Sequence, residues 1–412
     1  METLEQFRTA ARAWLDANVA RRPDRHDHVV WGEGSDSVAL FKNLAYEEEK
    51  AHIDALRRWV ATKADAGFAN VSWEPQWGGR GLHPSYERAF AEEEQAYTVP
   101  EPHESVGITT HLIAPTIRAM GTEAQKQRFL RPMLRTDEMW CQLFSEPGAG
   151  SDLAGVATRA VRDGDEWVID GQKVWTSGAQ YADWGYVLCR TDPDVAKHKG
   201  LTAFIVPMAA PGVEVRPLRQ MTGGSSFNEV FFTDVRVGDD FRLGEVGAGW
   251  LVALTTLSFE RNASTGALST GMSRRLVALA QHLGVAGDPV HRQALARAYT
   301  ADVLLELTAR RATAKLNAGE TPGPEGSIAK LSWTEAIRLY ADVASSLLGP
   351  RLVADAGEWG TYAWSELVLG IAGYRVAGGT DEVQRNIIGE RVLGLPGEPR
   401  TDRITAGRDA PR

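Results

Sequence analysis

The stretch EWVIDGQKVWTSG, Glu166 to Gly178, decides how the chain divides. Apolar and polar residues alternate through EWVID and QKVWT, the two-residue period of a half-buried strand, and Asp170-Gly171 between them reads as a hairpin turn. Working outward, DWGYVLCRT, LTAFIVPM, VEVRPLRQ and NEVFFTDVRV read as further strands, so the segment from about 140 to 240 is a β region.

On both sides the period is helical. Leu4, Phe7, Ala11, Trp14 and Leu15 share one face near the start, and segments 38–66 and 84–97 carry apolar residues at three- and four-residue steps beside acidic faces. SWEPQWGGRGLHP, between them, reads as a packed loop. After Gly249 helical patterns cover 250–283, 288–317, 327–348 and 380–393. Helices, sheet, helices is the segregated order of an α+β fold and differs from the alternation of a parallel-sheet enzyme. The expected division is a helical N-terminal domain at 1–128, a central β domain at 129–240, a C-terminal helical bundle at 241–396 and a mobile tail at 397–412.

The bulk numbers narrow the function. The 412 residues are 43% hydrophobic and 24% charged, with a formal charge of -9, so a large core is available and no basic face exists to neutralise nucleic-acid phosphates. Cys141 and Cys189 have neither disulfide nor zinc spacing and read as inert apolar residues. His26 and His28, two apart, are a poor metal geometry and read as surface histidines. No apolar run is long enough to span a membrane and no signal peptide is seen, which makes a cytoplasmic protein the expectation. HExxH, GxSxG, Walker and strand-linked GxGxxG motifs are absent.

Three segments carry chemistry. In LFSEPGAGSD, Leu143 to Asp152, a strand runs into a glycine-rich turn with free backbone N–H groups and two hydroxyls. It suits an anion or a flavin edge, or serves as a tight connection in a sheet. In KVWTSG, Lys173 to Gly178, an aromatic and two hydroxyls leave a strand together, and the tryptophan could equally be core. In YRVAGGTDEVQRNII, Tyr374 to Ile388, paired glycines and a Thr cap with Glu382 precede a helix, and nothing at the turn can carry a proton.

With WEPQWGGRG, the strand FNEVFFTDVRV leading to LGEVGAGW, and the closing GGTDEVQRNIIGERVLGLP, these segments fall in an order that resembles the acyl-CoA dehydrogenase family over nearly the whole chain. The resemblance implies a C-terminal four-helix bundle and FAD between sheet and bundle. It also implies α,β-dehydrogenation of an acyl-CoA thioester: a base removes the α-proton, the β-hydrogen leaves as hydride to flavin N5, and electrons pass on to an electron-transfer flavoprotein or similar acceptor. By position it assigns Gln142, Leu143, Phe144 and Ser145 to the flavin ring, and Gly150 and Ser151 to the FAD phosphates, with Ser151 also at the CoA chain. Trp175, Thr176 and Ser177 match a second flavin segment, the Ser177 hydroxyl close to N5, and Thr380 and Glu382 match a further cofactor loop.

Many members carry the catalytic glutamate where this chain has Gly378. Relatives resembling isovaleryl-CoA dehydrogenase place it instead on the first long helix of the bundle, before an arginine. Leu257 to Asn262, LSFERN, supplies that pair as Glu260 and Arg261, the base and a CoA-binding residue; the plainer reading is a helix-face carboxylate paired with arginine. The family's E-R-x-x-F-G segment, which reaches the FAD of a neighbouring subunit, is missing, and residues 284–293, with Arg292, stand in its place. The expected enzyme is a homodimer or homotetramer, the alternatives being a non-catalytic partner subunit of a heteromer, or oxygen or nitroalkane chemistry on the same fold.

Overall fold

The computed structural model describes residues 2–23, 29–264, 271–317 and 323–397, the side chains of residues 260–264, 313, 316 and 317 excepted. His26, His28 and the tail from residue 398 lie outside the described residues. The chain begins with helices α1 (Leu4–Asn18), α2 (Tyr46–Asp65), α3 (Ser85–Glu94) and α4 (Glu104–Gly107). A π-turn at Ile108–Ile113 leads into α5 (Ala114–Met120), followed by α6 (Glu123–Arg135). Thr3 and Gln6 form a reciprocal cap that starts α1, whose Phe7, Ala11 and Leu15 are buried as the helical stripe predicts.

The sheet follows as β1 (Trp140–Leu143), β2 (Arg159–Asp163), β3 (Glu166–Ser177), β4 (Trp184–Arg190), β5 (Leu201–Pro207), β6 (Val213–Leu218), β7 (Phe227–Gly238) and β8 (Arg242–Leu243). Their order is β6-β7-β3-β2-β4-β5-β8, with β1 parallel to β4. Strands β4 and β5 are buried on both faces. Tyr186, Leu188, Ala203 and Ile205 join one core with α5 and α6, while Val187, Cys189, Phe204 and Val206 join the other. Such two-sided burial is why these strands read as unbroken apolar runs. Both cysteines are buried and free.

The C-terminal part consists of α7 (Gly249–Ser264), α8 (Met272–His282), α9 (Pro289–Asn317), α10 (Glu325–Leu348), α11 (Ala363–Val376) and α12 (Asp381–Ile387). Helices, sheet and helices is the α+β order expected. Among the described residues no helix is long and apolar enough to cross a membrane.

Two local expectations are corrected. Asp170-Gly171 is not a hairpin turn: β3 runs through it, with a register shift between Ile169 and Gly171. Gly171 has φ +153, and a Cβ there would sit 2.5 Å from Thr158 Oγ1, so glycine serves a bulge and a close approach. The real turn is one Asp-Gly earlier, where Asp163 pairs with Glu166 across Gly164-Asp165. Residues 38–45 are not helical; they form a strap ending at the α2 cap.

The strap packs against α11, whose sequence is apolar around most of its circumference. Its Gly370 and Gly373 face the strap: Cβ atoms there would lie 3.4 Å from Leu40 Cβ and 3.1 Å from Phe41 Cζ. Phe41 stacks on Tyr374 at 4.8 Å and meets Phe227 of β7 edge-on at 5.6 Å. One buried phenyl thus joins N-terminal chain, sheet and bundle. Phe41→Ala is expected to cost about 3–5 kcal/mol in urea unfolding, the range for emptying a buried phenylalanine site.

Candidate active site

The glycine-rich turn is built on a buried ion pair. Strand β1 ends at Leu143, and Glu146 and Ala149 then exchange backbone hydrogen bonds of 2.9 and 3.0 Å across Pro147-Gly148. Lys173, from the middle of β3, is fully buried beneath this turn. Its ammonium donates to Glu146 Oε1 at 2.8 Å, the Phe144 carbonyl at 3.0 Å and the Leu188 carbonyl at 2.7 Å, which uses all of its protons. The Glu146 carboxylate also accepts from the backbone N–H groups of Ala157 and Thr158 at 2.6 and 2.9 Å. Burial pushes its pKa up, but Lys173 and these N–H groups hold it below the ordinary range.

The rest of the turn is open. Nothing lies within 4 Å of a Cβ at Gly148 or Gly150, and Gly150 and Ser151 are exposed. Asp152 is held in place by Lys197 Nζ, at 2.9 Å from both carboxylate oxygens. Leu143 and Phe144 turn their side chains into the core, Phe144 packing edge-on against Tyr186 at 5.1 Å. Of those two, only the backbone could meet a ligand. Gln142 is half-buried and Ser145 accepts through its carbonyl from Val174 N–H at 2.9 Å, tying the turn to β3.

At the far end of β3 the register against β7 shifts again between Lys173 and Thr176. Trp175 sits in this bulge with φ +61, in the left-handed region that a bulky residue seldom occupies, and its indole is 61% exposed. Strain and an exposed aromatic face together make Trp175 a candidate ligand platform. Beside it the buried Thr176 hydroxyl and the Asn228 amide oxygen have no partner among the described residues, while Asn228 Nδ2 donates to the Thr176 carbonyl at 3.0 Å. Unspent polar atoms under an exposed indole fit a flat, polar-edged cofactor.

Ser177 ends the strand and donates to Glu104 Oε1 at 3.1 Å. Gly178, with φ +64, follows directly; a Cβ there would lie 2.9 Å from Ser105 Cβ, so the first turn of α4 is pressed against the strand end. Glu104 was not among the residues expected from sequence, because a carboxylate in EPHES carries no motif.

The third segment has Gly378 and Gly379 at φ +64 and +86 and Thr380 as the cap of α12, its hydroxyl accepting from Val383 N–H at 3.2 Å. Glu382 is exposed. The buried anchor is Asp381, which accepts from Thr334 Oγ1 at 2.7 Å, Arg375 Nε at 2.6 Å and Lys330 Nζ at 3.2 Å. Although burial pushes its carboxyl up, these donors hold it below the ordinary range. Glu260 and Arg261 belong to α7, but their side chains lie outside the described residues. One turn earlier, Thr256 bonds Thr116 Oγ1 at 3.0 Å and approaches the Tyr186 hydroxyl at 3.5 Å. That contact joins α7 to both the N-terminal helices and the sheet. Among the described residues no group of His, Cys, Asp and Glu could hold a metal ion.

Removing the ammonium leaves a buried carboxylate alone. Lys173→Met is expected to destabilise the chain by about 3–5 kcal/mol at neutral pH in urea unfolding. Adding Glu146→Leu recovers only part, since the N–H groups of Ala157 and Thr158 then lose their acceptor. In the parent, the contribution of Glu146 is complete above its ordinary value of 4.5 and is lost as pH falls through its depressed folded value.

Profiles of one family match the chain in consecutive parts: the acyl-CoA dehydrogenase N-terminal domain over residues 40–137, its middle domain over 141–235 and its C-terminal domain over 247–393. Acyl-CoA dehydrogenase IpdE1 of Mycobacterium tuberculosis is 40% identical over 403 residues, 97% of this chain and 99% of that protein. A solved structure described as Tcur3481-Tcur3483 steroid ACAD superposes with a TM-score of 0.73 at 28% identity, over 96% of this chain and 98% of that one. The ChsE4-ChsE5 complex from Mycobacterium tuberculosis gives 0.67 at 28% identity, over 97% and 99%. The chain belongs to the acyl-CoA dehydrogenase family, whose enzymes are FAD-binding flavoproteins.

Proposed function

We propose that this chain forms the α,β-double bond of an acyl-CoA thioester with Glu260 as its base. The observation that carries the reading is where a carboxylate can stand. The loop before Thr380 offers only Ala377, Gly378 and Gly379, whereas α7 carries Glu260 one turn beyond the Thr256 contact that joins N-terminal helices, sheet and bundle. A carboxylate shielded by an apolar substrate has its pKa raised toward the working pH, which is what taking an α-proton requires.

The FAD, when bound, supplies the hydride acceptor. The residues that would hold it are the backbone from Gln142 to Ser145, the open turn at Gly150 and Ser151, Trp175 as a stacking face, Ser177 through its hydroxyl with the buried Thr176 beside it, and the Thr380 to Glu382 loop. Arg261 binds the CoA portion, with Ser151 beside it. Electrons leave to an electron-transfer flavoprotein or a similar acceptor.

The solved relatives suggest two refinements. One is described as a steroid ACAD, and Gly378 puts no side chain at the loop, so a bulky, ring-bearing acyl group is the substrate class proposed here. Both are described by two chain names, which favours assembly with a second, related subunit. Arg292, exposed in the first turn of α9 where the family's FAD-reaching segment is missing, is the residue proposed to face that subunit.

Glu260→Gln should keep the bound flavin yet slow its anaerobic bleaching by acyl-CoA at least about a hundredfold. Bleaching at the parent rate would remove Glu260 from the mechanism. Counting FAD per chain separates the assemblies: about one each when made alone supports a self-sufficient oligomer, and recovery of flavin only on co-expression with a second subunit supports the heteromer.

A further inference from the structure

Glu104 is a carboxyl group at the meeting point of the three parts of the molecule, with no ion-pair partner among the described residues. Its surface is open, yet it looks into the structure: α4 presses on Gly178, Ser177 bonds it at 3.1 Å, and the phenol of Tyr374 in α11, pushed up first by burial, is close enough to be raised further by this charge. The groups around it are otherwise engaged. His103 Nε2 is 3.1 Å from Glu49 Oε1, Glu49 accepts from Tyr181 at 2.8 Å, Lys42 is paired with Glu101, and Tyr374 donates to the Leu40 carbonyl at 3.2 Å. His52, its ring 6.0 Å from that of His103, completes the set.

A serine hydroxyl has one proton to give. While Glu104 is a carboxylate, that proton is spent on it and Ser177 faces its other neighbours only as an acceptor. Once Glu104 is a carboxylic acid, it can donate to Ser177 Oγ, and the serine proton is released in another direction. We propose that Glu104 is a positioning residue that sets, through Ser177, whether this site offers the cofactor a hydrogen-bond donor. The step is a reorientation of two O–H bonds with one proton taken from solvent, and no electrons move. Burial, the larger influence, holds the Glu104 carboxyl above the ordinary carboxylate range against the opposing pull of Ser177 and His103, with Glu49 adding to the rise.

This role rests on the reading of Ser177 as a cofactor residue, and the test separates the two. FAD affinity is measured across pH for the parent, Glu104→Gln and Ser177→Ala. The parent should weaken about 3- to 10-fold as pH rises through the Glu104 pKa, the scale of one hydrogen bond. Glu104→Gln and Ser177→Ala should both lose that inflection. On the flavin-free chain, an infrared difference spectrum between acid and neutral pH should show a carboxylic-acid carbonyl band that Glu104→Gln abolishes and Ser177→Ala displaces. An inflection that survives in Glu104→Gln, a flat parent profile, or a band indifferent to Ser177→Ala overturns the role of Glu104. A parent chain that binds no FAD, alone or with a second subunit, overturns the assignment of Ser177 to the cofactor, and the role of Glu104 falls with it.

Discussion

The site depends on one charge placed where water cannot reach it. A lysine in the middle of a strand is an unfavourable choice: the idealised cost of taking an ammonium out of water is about 20 kcal/mol, and even after relaxation several remain. Lys173 is tolerated because every proton it has is accepted, by a carboxylate and by carbonyls from two other segments of chain. Replacing such a pair by packed apolar side chains often costs nothing, so stability does not explain its presence. What it does is geometrical. Phe144 O, Glu146 and Leu188 O converge on one nitrogen, which fixes the turn after β1 against β3 and β4 and leaves Gly148, Gly150 and Ser151 exposed above it.

From that anchor β3 acts as a ruler. Lys173 is clamped, the next two residues absorb a bulge, and Trp175 and Ser177 emerge at its edge with an exposed indole and a hydroxyl bonded to Glu104, the buried Thr176 lying between them. Gly178 then lets α4 close on the strand end. Because β3 is a regular element paired along most of its length with β7, the positions of these groups relative to the turn are set by sheet geometry and not by a loop. The strap carrying Phe41 extends the same constraint to α11, so N-terminal chain, sheet and bundle are joined at one aromatic contact.

Much of this was legible in the residues. The change of period at 140 and 240, the apolar runs of β4 and β5, and the cap at Thr380 all follow from local rules that tertiary packing leaves intact. Other features depend on partners distant in sequence. Asp170-Gly171 has the composition of a hairpin turn, and only the approach of Thr158 reveals the bulge. Residues 38–45 have helical spacing, but Val38 and Phe41 are buried by the bundle in an extended strap. Glu104 carries no motif, since its meaning comes from Ser177, 73 residues away. Lys173 offered the one unused signal: a charge in a core-facing stretch of a strand demands a buried acid, and Glu146 stands in the neighbouring motif.

The glycine at position 378 makes physical sense beside these constraints. Both Gly378 and Gly379 have positive φ, a conformation that costs a glutamate of the order of 1 kcal/mol or more, and the loop around them is already committed to feeding Asp381 into its buried network of Thr334, Lys330 and Arg375. A base there would ride on a strained connection. A base on α7 would ride on a helix whose preceding turn is held by Thr116 and Tyr186, contacts that come from the N-terminal helices and from the sheet. Proton abstraction tolerates little misplacement, and the α7 position proposed for the carboxylate is mounted on a helix registered, through Tyr186 of β4, against the same sheet whose β3 carries Trp175 and Ser177.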